Sequence, residues 1–353
     1  MHKYLNRLLI LLPLLAIIIA LPAGAAYRDT DGHWGKGAID EWSSEGIIQG
    51  ADGFFRPNDP ITRAEMATIL MRLLKLEKTA PNLYTDLPEG AWYEKAVLAC
   101  VQEGIMQGDG GGIIRPTHNV TRQEAIVMLG RAWKVTQSSS ASLDRFTDGA
   151  KTADWAKGYV RSFVDLGYVN GVGNNELAPT GYINRASVVT ILSNAIAVYA
   201  NTDGESVTMS SDNEGIILVA AKDVKLSGSS GGMILISRGA QGSQVSVGGI
   251  AGAVNVAADN VSVRVETGLV LTVNFLGKGG KLIKNISTTV NTVTGEYTEE
   301  SVIITPSDPD DPKPGDPGSS ETPEIPLNPG NQGGNGGNSG DSGIIDGSWS
   351  PIF

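Results

Sequence analysis

The feature that most constrains this chain is a threefold internal register. Counting from Trp34, Trp92 and Trp155, one glycine falls twelve residues on (Gly46, Gly104, Gly167) and another sixteen on (Gly50, Gly108, Gly171). A proline follows at twenty-three or twenty-four (Pro57, Pro116, Pro179), and six residues after each proline stands an arginine: Arg63, Arg122 and Arg185. A fixed period means one supersecondary unit used several times, so the repeat decides the architecture before any single element does. Ahead of each Trp lies an aromatic-x-Asp: Tyr27-Arg28-Asp29, Tyr84-Thr85-Asp86 and Phe146-Thr147-Asp148. The distance from Asp to Trp varies from five to seven residues, which marks a loop.

From each Trp, apolar residues recur about four and eight positions on, as in Trp34, Ala38 with Ile39, and Trp42. That is the stripe of a helix packed on one face, and it predicts a helix running from the Trp to the first glycine, its C-terminal stop. Thr62-Arg63-Ala64-Glu65 and Thr121-Arg122-Gln123-Glu124 are capping boxes, in which the Thr hydroxyl and the Glu carboxylate satisfy each other's free backbone donors. Each opens a second helix; in the first repeat Met66, Ile69, Leu70, Leu73 and Leu74 give it a wide apolar face. Every repeat therefore reads helix, loop, helix.

Quoted in full, repeat one is Tyr27-Arg28-Asp29, Gly32-His33-Trp34, Gly46-Ile47-Ile48-Gln49-Gly50, Phe55-Arg56-Pro57-Asn58 and Ile61-Thr62-Arg63-Ala64-Glu65. This series resembles the S-layer homology domain, over roughly residues 27 to 200. The resemblance implies three repeats, at 27–79, 80–137 and 143–200, joined as an all-α pseudo-threefold unit with a central helix bundle and grooves between neighbouring prongs. It also implies a partner, the secondary polysaccharide of a Gram-positive cell wall ending in a pyruvylated amino sugar, and a role as a noncatalytic anchor.

The arginines suit such a ligand on physical grounds. The first position of a helix lies at the positive end of its macrodipole, where a cation is disfavoured. Placed there, a guanidinium beside free backbone N–H groups forms an anion site able to grip a carboxylate with two parallel hydrogen bonds. The competing reading pairs each Arg with an acid such as Asp29 or Glu65. Asp29, Asp86 and Asp148 are supporting candidates. Trp34, Trp92 and Trp155 are open between core and a flat face for a sugar ring. Gly50, Gly108 and Gly171 either serve the loop or keep Cβ atoms out of a groove. Repeat three departs from the pattern, with Asn184-Arg185-Ala186-Ser187 replacing the Glu and Pro179-Thr180 replacing Pro-Asn, so the site at Arg185 is expected to be the weak one.

Residues that suggest catalysis or metal binding do not recur in register. Cys100 aligns with Trp42 and Phe163 and reads as core; His33 aligns with Ala91 and Asp154, and His118 with Asp59 and Gly181. No His pair serves a metal or general-base role, and Asp29-Thr30-Asp31-Gly32 lacks the spacing of a calcium loop. No cofactor is expected.

Lys3 and Arg7 precede an apolar run from Leu8 to Leu21 and the small residues Ala23 to Ala26, which reads as a secretory signal over residues 1–25. That run is shorter than the ~20 residues of a spanning helix. The single cysteine excludes an intramolecular disulfide. A net charge of -11 disfavours nucleic acid as a partner.

Composition shifts after Val198-Tyr199-Ala200. Short alternating runs such as Ile234-Leu235-Ile236, Val254-Asn255-Val256 and Val261-Ser262-Val263-Arg264-Val265, separated by Gly, Asn, Asp and Ser, predict a small all-β region over 205–305. Few aromatics and strands of three to five residues favour a β-solenoid over a β-sandwich. From 306 to 353 the chain is rich in Pro, Gly, Asp, Asn and Ser and carries eight Asp or Glu against Lys313, a composition expected to stay disordered. The whole reads as a cell-surface protein displaying a structural or adhesive β region, whose own protein partner the sequence does not name. The alternative is a wall-anchored carbohydrate-active enzyme with a small β-helix, although the β region shows no defensible carboxylate pair.

Overall fold

The computed structural model describes residues 27–303 apart from 141 and 213. The expected signal peptide (1–25) and the acidic tail (306–353) lie outside the described residues. Six helices come in pairs, one pair per repeat: α1 (Lys36–Ser44) and α2 (Arg63–Leu74), α3 (Glu94–Gln102) and α4 (Arg122–Ala132), α5 (Asp154–Asp165) and α6 (Arg185–Ala195). Both capping boxes form, at Thr62 with Glu65 and at Thr121 with Glu124, and Asn184 caps α6 by accepting from the Ser187 N–H. Gly46, Gly104 and Gly167 sit just past the first helices with φ of 69°, 68° and 72°, as helix stops do. Trp34 and Trp92 lie two residues ahead of their helices rather than opening them, whereas Trp155 falls in the first turn of α5.

The pseudo-threefold is built at backbone level. Ile61 N–H donates to Ile183 O at 3.0 Å, Ile183 N–H to Val120 O at 3.0 Å, and Val120 N–H to Ile61 O at 2.9 Å, closing a ring through all three repeats. Immediately after each ring residue the second helix begins, so α2, α4 and α6 converge on the axis and bury Met66, Leu70, Ala125, Leu129, Val188 and Leu192. Cys100 is fully buried beside them, its Sγ 3.5 Å from Ala67 O, and the aligned Trp42 and Phe163 are equally buried.

The β region is a parallel solenoid of about six turns. Its strands are β1 (Ile196–Ala200), β2 (Ser206–Met209), β3 (Ile216–Val219), β4 (Lys225–Ile236), β5 (Gln244–Val256), β6 (Ser262–Asn285) and β7 (Thr289–Val302). Pairing is parallel throughout in the order β1-β3-β4-β5-β6-β7, with β2 on β4, and stacks Ile217, Ile234, Val254, Val273 and Val293 in one inward column. A sandwich of antiparallel hairpins is thereby excluded. Strands are longer than the expected three to five residues because the chain turns corners without leaving the ladder. At one corner Gly228, Gly249 and Gly268 stack with φ of 93°, 105° and 86°; a Cβ on Gly249 would lie 1.8 Å from Gly228 O. Glycines that read as strand breaks in the sequence are bends inside continuous strands.

The boundary between the two regions also differs from expectation. Helix α6 passes directly into β1, so residues 196–200 belong to the solenoid rather than to repeat three. Strand β3 is buried on both faces: Ile217 and Val219 point into the solenoid, while Ile216 and Leu218 join Leu235 and Ala257 in the core of the helical module. Polar contacts reinforce this junction. Tyr199 Oη donates to Leu73 O (3.1 Å), Lys75 Nζ to Asn201 O (2.6 Å) and Ser237 Oγ to Leu74 O (3.3 Å). Arg238 reaches Glu103 at 2.9 Å and Asp259 at 2.7 Å, and Lys78 meets the same Asp259 at 3.0 Å. Helices and solenoid form one compact unit.

Candidate functional site

Because the ring hands the backbone from one repeat to the next, each second helix starts against the loop of a neighbour. Arg63 N–H donates to His118 O and Ala64 N–H to Pro116 O; Arg122 and Gln123 bond Gly181 O and Pro179 O; Arg185 and Ala186 bond Asp59 O and Pro57 O. The helix-start N–H groups expected to face an anion are therefore occupied by neighbouring carbonyls, and positive charge comes from side chains instead of the helix ends.

Each guanidinium crosses into the next repeat and lies over the carbonyls behind its first helix. Arg63 Nε donates to Ile114 O (3.0 Å) and Nη2 to Gln107 O (2.7 Å). Arg122 Nη2 donates to Asn170 O (2.9 Å). Arg185 Nε donates to Phe55 O (2.9 Å), Nη2 to Gln49 O (2.7 Å) and Nη1 to Glu65 Oε1 (3.1 Å), with the guanidinium carbon 4.8 Å from the Phe55 ring centroid. These contacts place three grooves in cyclic order. The first holds Arg185, Gln49, Glu65, Arg72 and Trp92; the second Arg63, Gln107, Glu124, Arg131 and Trp155; the third Arg122, Asn170, Ser187, Asn194 and Trp34. Every groove draws its arginine, its walls and its tryptophan from three different repeats.

The tryptophans resolve the choice between core and surface. Trp34, Trp92 and Trp155 are 63%, 69% and 55% exposed, and each stands at a groove edge. The three rings are thus surface groups at three equivalent places, each with an apolar face open to solvent. Burial lowers the basicity of all three arginines from the ordinary value. Around Arg63 that effect is opposed by Glu124, Asp109 and Asp86, and around Arg185 chiefly by Glu65, whereas burial acts alone on Arg122.

Two expected groups of site residues have other duties. The carboxylate of Asp29 accepts from Phe55 N–H (2.8 Å) and Arg56 N–H (2.7 Å), that of Asp86 from Ile114 N–H (2.9 Å) and Arg115 N–H (2.7 Å), and that of Asp148 from Leu177 N–H (2.7 Å) and Ala178 N–H (2.9 Å). Both oxygens are thus committed to a loop in which Arg56, Arg115 and Ala178 hold φ of 59°, 51° and 53°. Although burial works against the charge, these backbone donors keep the Asp29 and Asp86 carboxyls below the usual value. The aspartates brace loops and do not line the grooves. Gly50, Gly108 and Gly171 are set by close approach: a Cβ would lie 2.1, 2.4 and 2.7 Å from the carbonyl oxygens of Phe54, Ile113 and Glu176. The packing of this small hairpin against Tyr27, Tyr84 and Phe146 explains the glycines, even though Gly108 and Gly171 also border their grooves.

The assignment of sites to repeats changes as well. Arg185 completes the groove whose walls are repeat one, where Glu65 is present; the Ser187 that breaks the motif lies in the groove of Arg122. Arg72, Arg131 and Asn194 were not anticipated. They stand seven residues after Glu65, Glu124 and Ser187, two turns along the same helix face, and a register search carried past the capping box would have found them.

Residues 26–67, 83–126 and 145–189 match the S-layer homology domain family, one match for each helix pair. The chain carries three S-layer homology domains. Among similar proteins, an amylopullulanase of Thermoanaerobacterium thermosulfurigenes is 33% identical over 47% of this chain and 9% of its own length. Exoglucanase XynX of Acetivibrio thermocellus is 31% identical over 49% and 16%, and the surface-layer 125 kDa protein of Lysinibacillus sphaericus is 32% identical over 46% and 14%. The chain thus spans less than a fifth of these relatives, and what they share with it is the S-layer homology region. S-layer homology domains are the mark of S-layer and cell-surface proteins, and this is a secreted, cell-wall-associated protein. Among the described residues no helix is long and apolar enough to cross a membrane.

Proposed function

We propose that the three grooves bind anionic sugar residues of a secondary wall polysaccharide, ending in a pyruvylated amino sugar, and so hold the chain to the cell wall without catalysis. The observation that carries this reading is the threefold recurrence of one buried or half-buried guanidinium beside one exposed indole, each groove assembled from all three repeats. A carboxylate on a sugar meets the first by charge-assisted hydrogen bonds and the ring face meets the second. The solenoid is then the displayed portion. Four of its acids are held in ion pairs, Asp259 with Arg238 and Lys78, Glu266 with Arg264, Glu299 with Lys284 and Glu300 with Lys281, which supports a structural rather than a hydrolytic role for those residues.

The test is co-sedimentation of the chain with purified walls before and after extraction of the secondary polymer. Binding is expected to vanish on extraction, and equal binding to bare peptidoglycan would sink the proposal. Arg63→Ala is expected to weaken binding by about 1.5–3 kcal/mol, the range for a charge-assisted contact. Unchanged affinity in a folded variant returns Arg63 to a purely structural role. Release of reducing ends from wall polymer by the purified chain would overturn the noncatalytic half of the proposal.

A further inference from the structure

The three grooves share a plan but not a charge state. In the first, every nitrogen of the Arg185 guanidinium has an acceptor, and one of them is the Glu65 carboxylate. Glu65 does this with the oxygen left over from its capping box, since its other oxygen accepts from Thr62 N–H and Oγ1 at 2.8 Å each. In the second, Arg63 has two carbonyl acceptors and no carboxylate within ion-pair distance, although Glu124 lines the same groove. In the third, Arg122 is 8% exposed, and among the described residues the only hydrogen bond of its guanidinium runs from Nη2 to Asn170 O; Nε is buried without an acceptor. The position of Glu65 and Glu124 is Ser187 here, and that of Arg72 and Arg131 is Asn194. This groove is also the roomiest, about 550 Å³ against 220 and 260 Å³ for the first and second.

A buried cation with unused donors and no counter-ion is the most favourable place for an incoming carboxylate, because binding removes an existing penalty rather than breaking a bond. In the first groove a ligand must displace Glu65 before it can reach Arg185. Resting on the wall-polymer reading above, we infer that the grooves are ranked. The Arg122 groove takes the acidic sugar first, the Arg63 groove second, and the Arg185 groove is held closed by its own glutamate. The broken motif of repeat three thus opens a site: Ser187 replaces the competing carboxylate, and Asn194 the second arginine, with neutral groups able to bond sugar hydroxyls and an acetamido group.

The three exposed indoles report on the grooves separately. The full chain, 15N-labelled at tryptophan with signals assigned by single Trp→Phe variants, is titrated with the methyl glycoside of an N-acetylhexosamine bearing a pyruvate ketal. Its methyl ester serves as the uncharged control, and the buried Trp42 and Trp133 indoles report the integrity of the fold. Trp34 is expected to respond at the lowest concentration, Trp155 next, and Trp92 at about tenfold higher concentration than Trp34, the worth of one charge-assisted bond. Glu65→Gln is expected to bring the Trp92 midpoint down towards that of Trp34, and Arg122→Gln to abolish the Trp34 response alone. Equal midpoints, Trp92 responding first, or a Trp92 midpoint unmoved by Glu65→Gln would overturn the ranking and leave wall binding standing. No response at any of the three indoles, or an equal response to the ester, would overturn the anionic-sugar reading itself.

Discussion

Asp148→Ala separates a loop brace from a ligand contact. The Asp148 side chain is buried, and its two oxygens accept from Leu177 N–H at 2.7 Å and Ala178 N–H at 2.9 Å. Ala178 holds φ at 53°, a left-handed conformation that an alanine keeps only when its surroundings enforce it. Truncation removes two charge-assisted bonds and leaves two backbone donors without acceptors in a site that water enters poorly. At about 1.5–3 kcal/mol for each bond, partly recovered as the loop relaxes, the expected loss is about 3–5 kcal/mol. For a unit of this size that lowers the melting temperature by on the order of 10 °C. Asp148→Asn, which keeps one acceptor, is expected to lose about half as much. The assay is thermal and urea unfolding followed by far-UV circular dichroism, with wall sedimentation measured well below the transition. A variant that melts like the parent but no longer sediments would refute the brace and return Asp148 to the ligand.

Gly249→Ala places a Cβ 1.8 Å from Gly228 O at a φ of 105°, so it is expected to cost about 3 kcal/mol or more and to be seen as loss of β signal on heating before the helical signal declines. The Cys100 thiol is fully buried and burial pushes its pKa up, so it is expected to resist iodoacetamide in the native chain and to react only at the urea concentration that unfolds the helical module. For Asp259, burial raises the pKa, but the Lys278 N–H, Arg238 and Lys78 outweigh it and hold the carboxyl well below the usual range. A depressed folded pKa stabilises above the unfolded value of ~3.9, and that contribution is lost as pH falls towards the folded value. Urea midpoints should therefore drop more steeply between about pH 5 and about pH 2 for the parent than for Asp259→Asn, and parallel profiles would contradict this.

What the sequence made legible is what depends on neighbours along the chain. The capping boxes at Thr62 and Thr121, the stop at Gly46 and the burial of Cys100 follow from local spacing and were readable. Arg63, Arg122 and Arg185 stood out because a cation at a helix start opposes the macrodipole. The acceptors that explain those arginines, Gln107, Asn170 and Gln49, lie in the following repeat in cyclic order, a relation no local pattern encodes. For the same reason the departure at Ser187 was assigned to the wrong site. The aspartates were misjudged because a loop brace and a ligand contact call for the same residue at the same recurring position, and only the distances to Phe55, Ile114 and Leu177 distinguish them. Residues 196–200 continue an apolar helix into an apolar strand without punctuation, which hid the boundary.

The closed ring of Ile61, Val120 and Ile183 has a consequence for how such a module can be divided. Since one repeat lends its arginine to the second and its tryptophan to the third, deleting any single repeat leaves all three grooves incomplete rather than one missing. Under the proposed function, avidity cannot be dialled up or down by adding or removing copies, as it is in open solenoids. The smallest inheritable unit that carries complete grooves is the whole trio, and variation among them has to come from substitutions within it, such as the exchange of a glutamate for Ser187.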